Sequence, residues 1–252
     1  MTICYFTATG NSLYVAKRIG GKLLSIPKLM KQNEISIEDD SIGIISPVYG
    51  GDMPRMVKAF LGKANLKTKY LFFISTYGMS YSVVKINAIE AMNKNGLKPD
   101  YVNAVKMIDN YLPGFEMQDQ IDNAYKKDIE GQIDQICKDI IDKKKNVYSL
   151  GMLQMLAKAF INNTMGKVIF DRSAAKKYIV NDDCIRCGIC AKVCPADNII
   201  VDNKVSFLNK CEVCYACLHN CPKNAIHLKN ERSIKRFRNE HIGLNEIIEA
   251  NE

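Results

Sequence analysis

The chain has 252 residues, 47% of them hydrophobic and 25% charged, so it can bury a sizeable core and is neither a disordered nor a collagen-like polymer. Its 35 Lys and Arg against 27 Asp and Glu give a formal charge of +8, only a weak invitation to nucleic acid. Ten cysteines are present, and eight of them lie between Cys184 and Cys221.

Along residues 1–146 short apolar runs alternate with helical patterns. Strands are expected near Ile3–Phe6, Ile26–Met30, Ile42–Ser46, Tyr70–Ser75 and Tyr101–Met107, with helices near Ser12–Leu24, Pro54–Leu61, Tyr81–Asn93 and Asp119–Lys144. This alternation is the βαβ pattern of a parallel, doubly wound sheet. Pro27 inside the second run removes a ladder donor, which puts that strand at a sheet edge. A five-stranded sheet of order 2-1-3-4-5 has it there.

Three loops in this half carry candidate binding groups. After strand one come Thr7, Ala8, Thr9, Gly10, Asn11 and Ser12, opening directly into a helix. Hydroxyls and amides at a helix N-terminus hold a phosphate without a lysine, although such a turn also caps helices that bind nothing. Neither G-x-x-x-x-G-K nor G-x-G-x-x-G is present, so a P-loop nucleotidase and a Rossmann dinucleotide site lack support. After strand three, Pro47, Val48, Tyr49, Gly50, Gly51 and Asp52 offer an aromatic face and two glycines, with Asp52 expected as N-cap and Pro54 in the first turn of the next helix. After strand four, Thr76, Tyr77, Gly78 and Met79 offer a second aromatic and glycine.

From 147 to 176 the chain changes character: Leu150, Leu153, Ala157, Phe160, Ile161 and Val168 recur at helical spacing and read as an amphipathic linker. Beyond it, Cys184, Cys187, Cys190 and Cys194 followed by Pro195, then Cys211, Cys214, Cys217 and Cys221 followed by Pro222, write C-x2-C-x2-C-x3-C-P twice. In this arrangement the fourth cysteine of each run ligates the other run's four-iron cluster. One cluster is therefore expected on Cys184, Cys187, Cys190 and Cys221, and the other on Cys194, Cys211, Cys214 and Cys217. Zinc uses the same thiolates but takes them as two separated pairs. Gly188 is expected to let backbone approach inorganic sulfide, and His219 to be solvent-exposed or, alternatively, to bond a cluster sulfur. Cys4 and Cys137 sit in apolar contexts and read as buried structural thiols. The last segment carries Arg232, Lys235, Arg236 and Arg238 on a helix-like stretch, either a solvated face or a docking patch for an acidic partner.

No apolar run reaches the roughly 18 residues that span a bilayer, and no signal-peptide pattern opens the chain, so a cytoplasmic protein with no integral membrane segment is expected. In a reducing compartment C-x2-C pairs hold metal more often than they form disulfides.

The first loop, before its helix, resembles the S/T-x-T-G-N-T loop of flavodoxin-like domains, with Ser12 keeping the final hydroxyl. Residues Lys177–Leu228 resemble the bacterial ferredoxins with two four-iron clusters, flanking strands Tyr178–Val180 and Ile226–Leu228 included. Taken together, the chain resembles a family of flavodoxin and ferredoxin modules fused in one polypeptide, and Met107–Gly114 is similar to a stretch of that family, read as a structural loop or a lid between flavin and clusters. The resemblance implies an α/β flavodoxin-like domain (1–146) binding FMN on the three loops, the linker, a small α+β ferredoxin domain (177–230) and a basic helical tail (231–252). It implies that a Gly50 or Gly51 peptide turns to bond the reduced flavin. The tryptophan that many flavodoxins stack on the ring is missing, since the chain has no Trp. Two clusters and a flavin phosphate would bring the net charge to about +2, so the basicity partly offsets cofactor charge.

The function read from this is electron transfer among two [4Fe-4S] clusters, FMN and external redox partner proteins, in an anaerobic cell, with no nucleic acid involved. Two rivals are an FMN-dependent reductase of a small molecule or nicotinamide fed by the clusters, and a two-cluster ferredoxin whose flavodoxin-like domain binds a partner without flavin.

Overall fold

The computed structural model describes residues 1–81, 83–147 and 172–252. The linker's apolar residues, Leu150 to Val168, lie outside the described residues.

Five strands form one parallel sheet: β1 (Thr2–Tyr5), β2 (Lys22–Ser25), β4 (Ser41–Pro47), β6 (Tyr70–Tyr77) and β7 (Tyr101–Lys106), in the order β2-β1-β4-β6-β7. Counting only these five, the order is 2-1-3-4-5. The inner strand β6, between β4 and β7, is buried at seven of its eight positions, which is why it reads as a continuous apolar run and not as an alternation. Helices cover both faces: α1 (Asn11–Ile19) packs on α6 (Ile129–Ile141), and α3 (Arg55–Lys63) lies between α2 (Ile26–Met30) and α4 (Val84–Lys94). Gly43 has no alternative in β4, since a Cβ there would come within 2.2 Å of the Phe72 ring.

Two boundaries differ from the sequence expectation. The run Ile26–Met30 is helix α2, and the second strand is the preceding Lys22–Ser25. Ser25 caps that helix by accepting the Lys28 N–H at 3.4 Å, and Pro27 sits in its first turn, where its missing N–H costs nothing. Glycines 20 and 21, at φ +84° and +96°, end α1 early and release the chain into the strand. The strand still lies at the sheet edge, but Pro27 is not the reason. The single helix expected over Asp119–Lys144 is instead α5 (Met117–Asp122), a 3-10 turn (Ala124–Lys127) and α6, broken at Asp128 with φ 46°. A short parallel pair, β3 (Ser36–Glu38) with β5 (Asn65–Lys67), was not expected.

The C-terminal region is built of small pieces. Strand β8 (Ile179–Val180) pairs antiparallel with β11 (Ile226–His227), and β9 (Ile199–Val201) with β10 (Val205–Phe207). Two four-residue helices, α7 (Ile189–Lys192) and α8 (Ala216–His219), each contain the third cysteine of a run. The sequence repeat is also a backbone repeat: left-handed residues occur at Arg186, Gly188 and Asp197 in the first run, and at the same offsets at Val213, Tyr215 and Asn224 in the second. Tyr215 holds at φ 57° the conformation Gly188 holds at 78°, so the glycine is used for its backbone angle; no protein atom lies within 4 Å of its missing Cβ.

The tail is not a basic helix. Residues 231–243 run without regular structure, and helix α9 (Leu244–Asn251) follows, apolar on its inner side at Ile247 and Ala250. Arg236 is buried against Glu231 (3.1 Å), and Arg238 donates to Asn220 Oδ1 at 3.4 Å, so these two cations are not a free patch. No described helix is long and apolar enough to cross a membrane.

Candidate functional site

The loops at the C-terminal edge of the sheet converge on one cleft. It is lined by Thr7, Ala8, Thr9, Asn11 and Ser12, by Pro47, Val48 and Tyr49, by Thr76, Tyr77 and Gly78, and by Ile108, Asp109 and Asn110. This is where an open parallel sheet binds ligands, outside its strand ends. Five expected residues are not in the lining. Gly10 stands behind the loop at φ +100°, its missing Cβ 2.9 Å from Asn239 Cβ. Glycines 50 and 51, at φ 58° and 84°, form a tight turn closed by reciprocal Tyr49 and Asp52 backbone bonds of 2.8 and 3.1 Å. Asp52 is not the N-cap: Pro54 holds that position, while the Asp52 carboxylate takes the Met53 N–H at 2.7 Å and pairs with Lys58. It stands too early in the chain to reach the helix's first amides. Met79 is exposed.

The hydroxyls of the first loop knit the cleft together. Thr7 Oγ1 accepts the Gly10 N–H at 3.2 Å, Ser12 and Thr76 share a 2.8 Å bond, and Asn110 Nδ2 donates to Thr9 Oγ1 at 2.6 Å. The first-turn amides of α1 have no intrahelical acceptor, and no Lys or Arg lines the cleft. That donor set fits a phosphate held by amides and hydroxyls, and Tyr49 and Tyr77 add ring faces suited to an aromatic ligand. The segment Met107–Gly114, expected as a structural loop or a lid and given no binding role, supplies Ile108, Asp109 and Asn110 to the cleft lining. Burial pushes the Asp109 carboxyl up, opposed by the Tyr111 N–H at 3.0 Å and by Lys127. Gly78 must remain glycine, because a Cβ would meet Asp109 Oδ2 at 2.1 Å. The signal was topological: β7 also ends at this edge.

The cysteines fall into two groups. Cys184, Cys187, Cys190 and Cys221 line one small cavity, with Cys187 exposed and Cys190 buried. Cys194, Cys211, Cys214 and Cys217 are all buried, and near enough for each to act on the others' ionisation. Backbone amides already point at the sulfurs: Asn198 N–H reaches Cys194 at 3.4 Å, and Ala225 N–H reaches Cys221 at 3.3 Å, the same offset in each run. Such bonds favour thiolate over thiol. Against them, burial raises Cys190 to about 11 and pushes Cys214 and Cys217 well above the usual thiol value, so free thiols here keep their protons until metal displaces them. Eight thiols in two groups of four, with amides aimed at sulfur, fit two four-iron cubes. Cys4 is buried and Cys137 half-buried, both away from these groups.

His219 departs from both expectations. It is buried, its Nδ1 accepts the Phe237 N–H at 3.1 Å, and its Nε2 therefore carries the proton to the Asn110 carbonyl at 2.8 Å. Burial pushes its pKa down to about 4. The ring is a neutral latch between the cysteine region, the tail and the cleft.

The two halves share an interface that the sequence did not reveal. Glu212, between two cysteines, accepts the Met56 N–H at 3.3 Å at the start of α3 and lies 3.8 Å from Arg55 Nε. The Arg55 guanidinium also bonds the Cys211 carbonyl. A carboxylate from the second half thus caps a helix of the first, where the helix dipole favours it. Tyr49 lines the cleft and packs against the apolar core that contains Cys214; burial, then the Cys214 and Glu212 charges, raise its hydroxyl well above the usual value. Cys214 itself belongs to the apolar core of the sheet domain.

A parallel 2-1-3-4-5 sheet with a strand-end cleft, joined to a doubled cysteine motif, defines an electron-transfer flavoprotein with an iron–sulfur module. The comparisons agree: residues 2–106 match the flavodoxin domain family and residues 177–200 the 4Fe-4S binding domain family. The chain is a fusion of a flavodoxin domain with a 4Fe-4S binding domain. No curated protein matches it. Similar solved structures include the two-electron reduced flavodoxin of Megasphaera elsdenii, 15% identical over 42% of this chain and 85% of that one, TM-score 0.30. A flavodoxin from the domain Archaea is 16% identical over 53% and 98%, TM-score 0.29. The rubredoxin oxygen:oxidoreductase of Desulfovibrio gigas is 11% identical over 53% and 36%, TM-score 0.31. The assignment stands on the two family matches and the strand order.

Proposed function

We propose that the chain carries low-potential electrons between FMN in the strand-end cleft, two [4Fe-4S] clusters and external redox partner proteins. The clusters exchange single electrons and the flavin one or two, so the pairing joins one-electron to two-electron chemistry. Cys184, Cys187, Cys190 and Cys221 hold the outer cluster, with Cys187 at the surface where a partner can approach. Cys194, Cys211, Cys214 and Cys217 hold the inner one. The loop Thr7–Ser12 binds the phosphate, and Tyr49 and Tyr77 flank the flavin ring. The observation that carries the reading is Tyr49, which lines the cleft while packing against the apolar core that contains Cys214 of the inner set. The test is cofactor content of anaerobically purified protein: about eight irons and about one FMN per chain are expected. Iron without FMN, even after FMN is added, would leave a ferredoxin with a flavin-free partner domain.

A further inference from the structure

The outward face of the phosphate loop is held by the other half of the chain. Three consecutive carbonyls, those of Thr7, Ala8 and Thr9, each accept a hydrogen bond from the C-terminal region. Asn251 Nδ2 donates to Thr7 at 3.4 Å, Asn220 Nδ2 to Ala8 at 3.2 Å, and the Asn239 N–H to Thr9 at 2.8 Å. Both donor side chains are buried and anchored, since each also bonds a carbonyl one helical turn back, Ala216 for Asn220 and Ile247 for Asn251. Asn239 Nδ2 adds a 3.2 Å bond to Asn11 Oδ1, and Ile242 packs on Gly10.

A loop that binds phosphate through its amides must turn its carbonyls the other way. Carbonyls pointing into a protein interior need donors, and an unsatisfied one costs free energy. The sheet domain does not supply these donors; helix α8's end, the irregular tail segment around Asn239 and helix α9 do. We propose that Asn220, Asn239 and Asn251 are positioning residues that fix the Thr7–Thr9 carbonyls outward, so that the cofactor phosphate is bound tightly only when the cysteine region and tail are docked. The inference rests on the reading of the cleft as an FMN site. It makes the second half of the chain part of the flavin's binding site without touching the flavin.

Riboflavin lacks the phosphate and gives the test. FMN and riboflavin are titrated by fluorescence quenching into the flavin-free, cluster-loaded full-length chain, as wild type, Asn220→Asp and Asn251→Asp. Each variant keeps side-chain size and replaces the donor with an acceptor. FMN affinity is expected to fall about fivefold or more in each variant, the worth of one hydrogen bond, with riboflavin affinity unchanged. Amide exchange of residues 8–12 in the flavin-free protein should quicken in both variants, while β6 is unaffected. Equal losses for the two flavins, or no loss with unchanged exchange, would overturn the positioning role. Should Asn220→Asp lose iron because of its neighbour Cys221, Asn251→Asp alone decides. A wild type that binds neither flavin removes the FMN reading and this inference with it, whereas FMN binding that ignores the substitutions removes only the inference.

Discussion

The sheet domain and the cysteine region reach order by different means. In the first, β6 alone buries Tyr70, Leu71, Phe72, Phe73 and Ile74, and helices on both faces close over one apolar core. In the second, the longest strand has three residues, the helices of the two runs have four, and the main apolar cluster includes Cys190, Cys194, Cys211 and Cys217. Helices and ladders that short do not hold themselves together in water. The lesson is that one half folds on side chains it buries, while the other depends on what its thiols bind and on the surface it docks against.

The strongest way to break that contrast is to remove iron. Chelation from the full chain is expected to abolish hydrogen-exchange protection across β8, β11 and the two short helices while β6 keeps its own. Protection that survives in both halves would show the cysteine region to be self-supporting. Phe72→Ala attacks the other half: opening a cavity at a fully buried ring should cost about 3–5 kcal/mol, read by urea unfolding. A loss under about 1 kcal/mol would mean the sheet core is less decisive than its burial implies. Glu212→Ala probes the border, since it uncaps α3 and leaves Arg55 without its carboxylate; about 1–3 kcal/mol is expected. The smallest effect concerns Asp139 beneath β7. Burial pushes its carboxyl up, but hydrogen bonds from Tyr101 (2.8 Å), Gln135 and Lys144 outweigh that and hold it below the ordinary 3.8. Its stabilisation is present above that value and fades as pH falls through the depressed one. Asp139→Asn should therefore flatten the acid limb of a melting-temperature profile below pH 3.8.

Much of this was legible in the sequence because it was periodic or spaced. Buried parallel strands appear as continuous apolar runs, and the cysteine spacing marks the 4Fe-4S region that the family match also finds. What was hidden depended on contacts between distant residues. Ile26–Met30 has a strand's composition, but Ser25 and Pro27 make it a helix start, and the signal was there in the capping residue. Arg236 reads as a surface cation and is instead buried on Glu231. His219 and Glu212 each meet partners more than a hundred residues away, Asn110 and Met56, which no local pattern records. Asp109 was not expected as a cleft residue because its segment, Met107–Gly114, reads only as a loop or a lid, although every strand of such a sheet ends at the same edge.

The phosphate loop also has a place in time. Residues 7–9 leave the ribosome before the cysteine region and tail, and the sheet around them can begin to form as soon as its strands emerge, since domains fold as units from the N-terminal side. The side-chain donors for the loop's carbonyls lie 212 and 244 residues downstream. During synthesis the cradle therefore exists as a shape before it exists as a rigid one, and it sets only after the second half has been made and has folded back. A nascent chain halted between the two halves would carry a sheet whose first loop still lacks the donors that Asn220, Asn239 and Asn251 bring to its carbonyls.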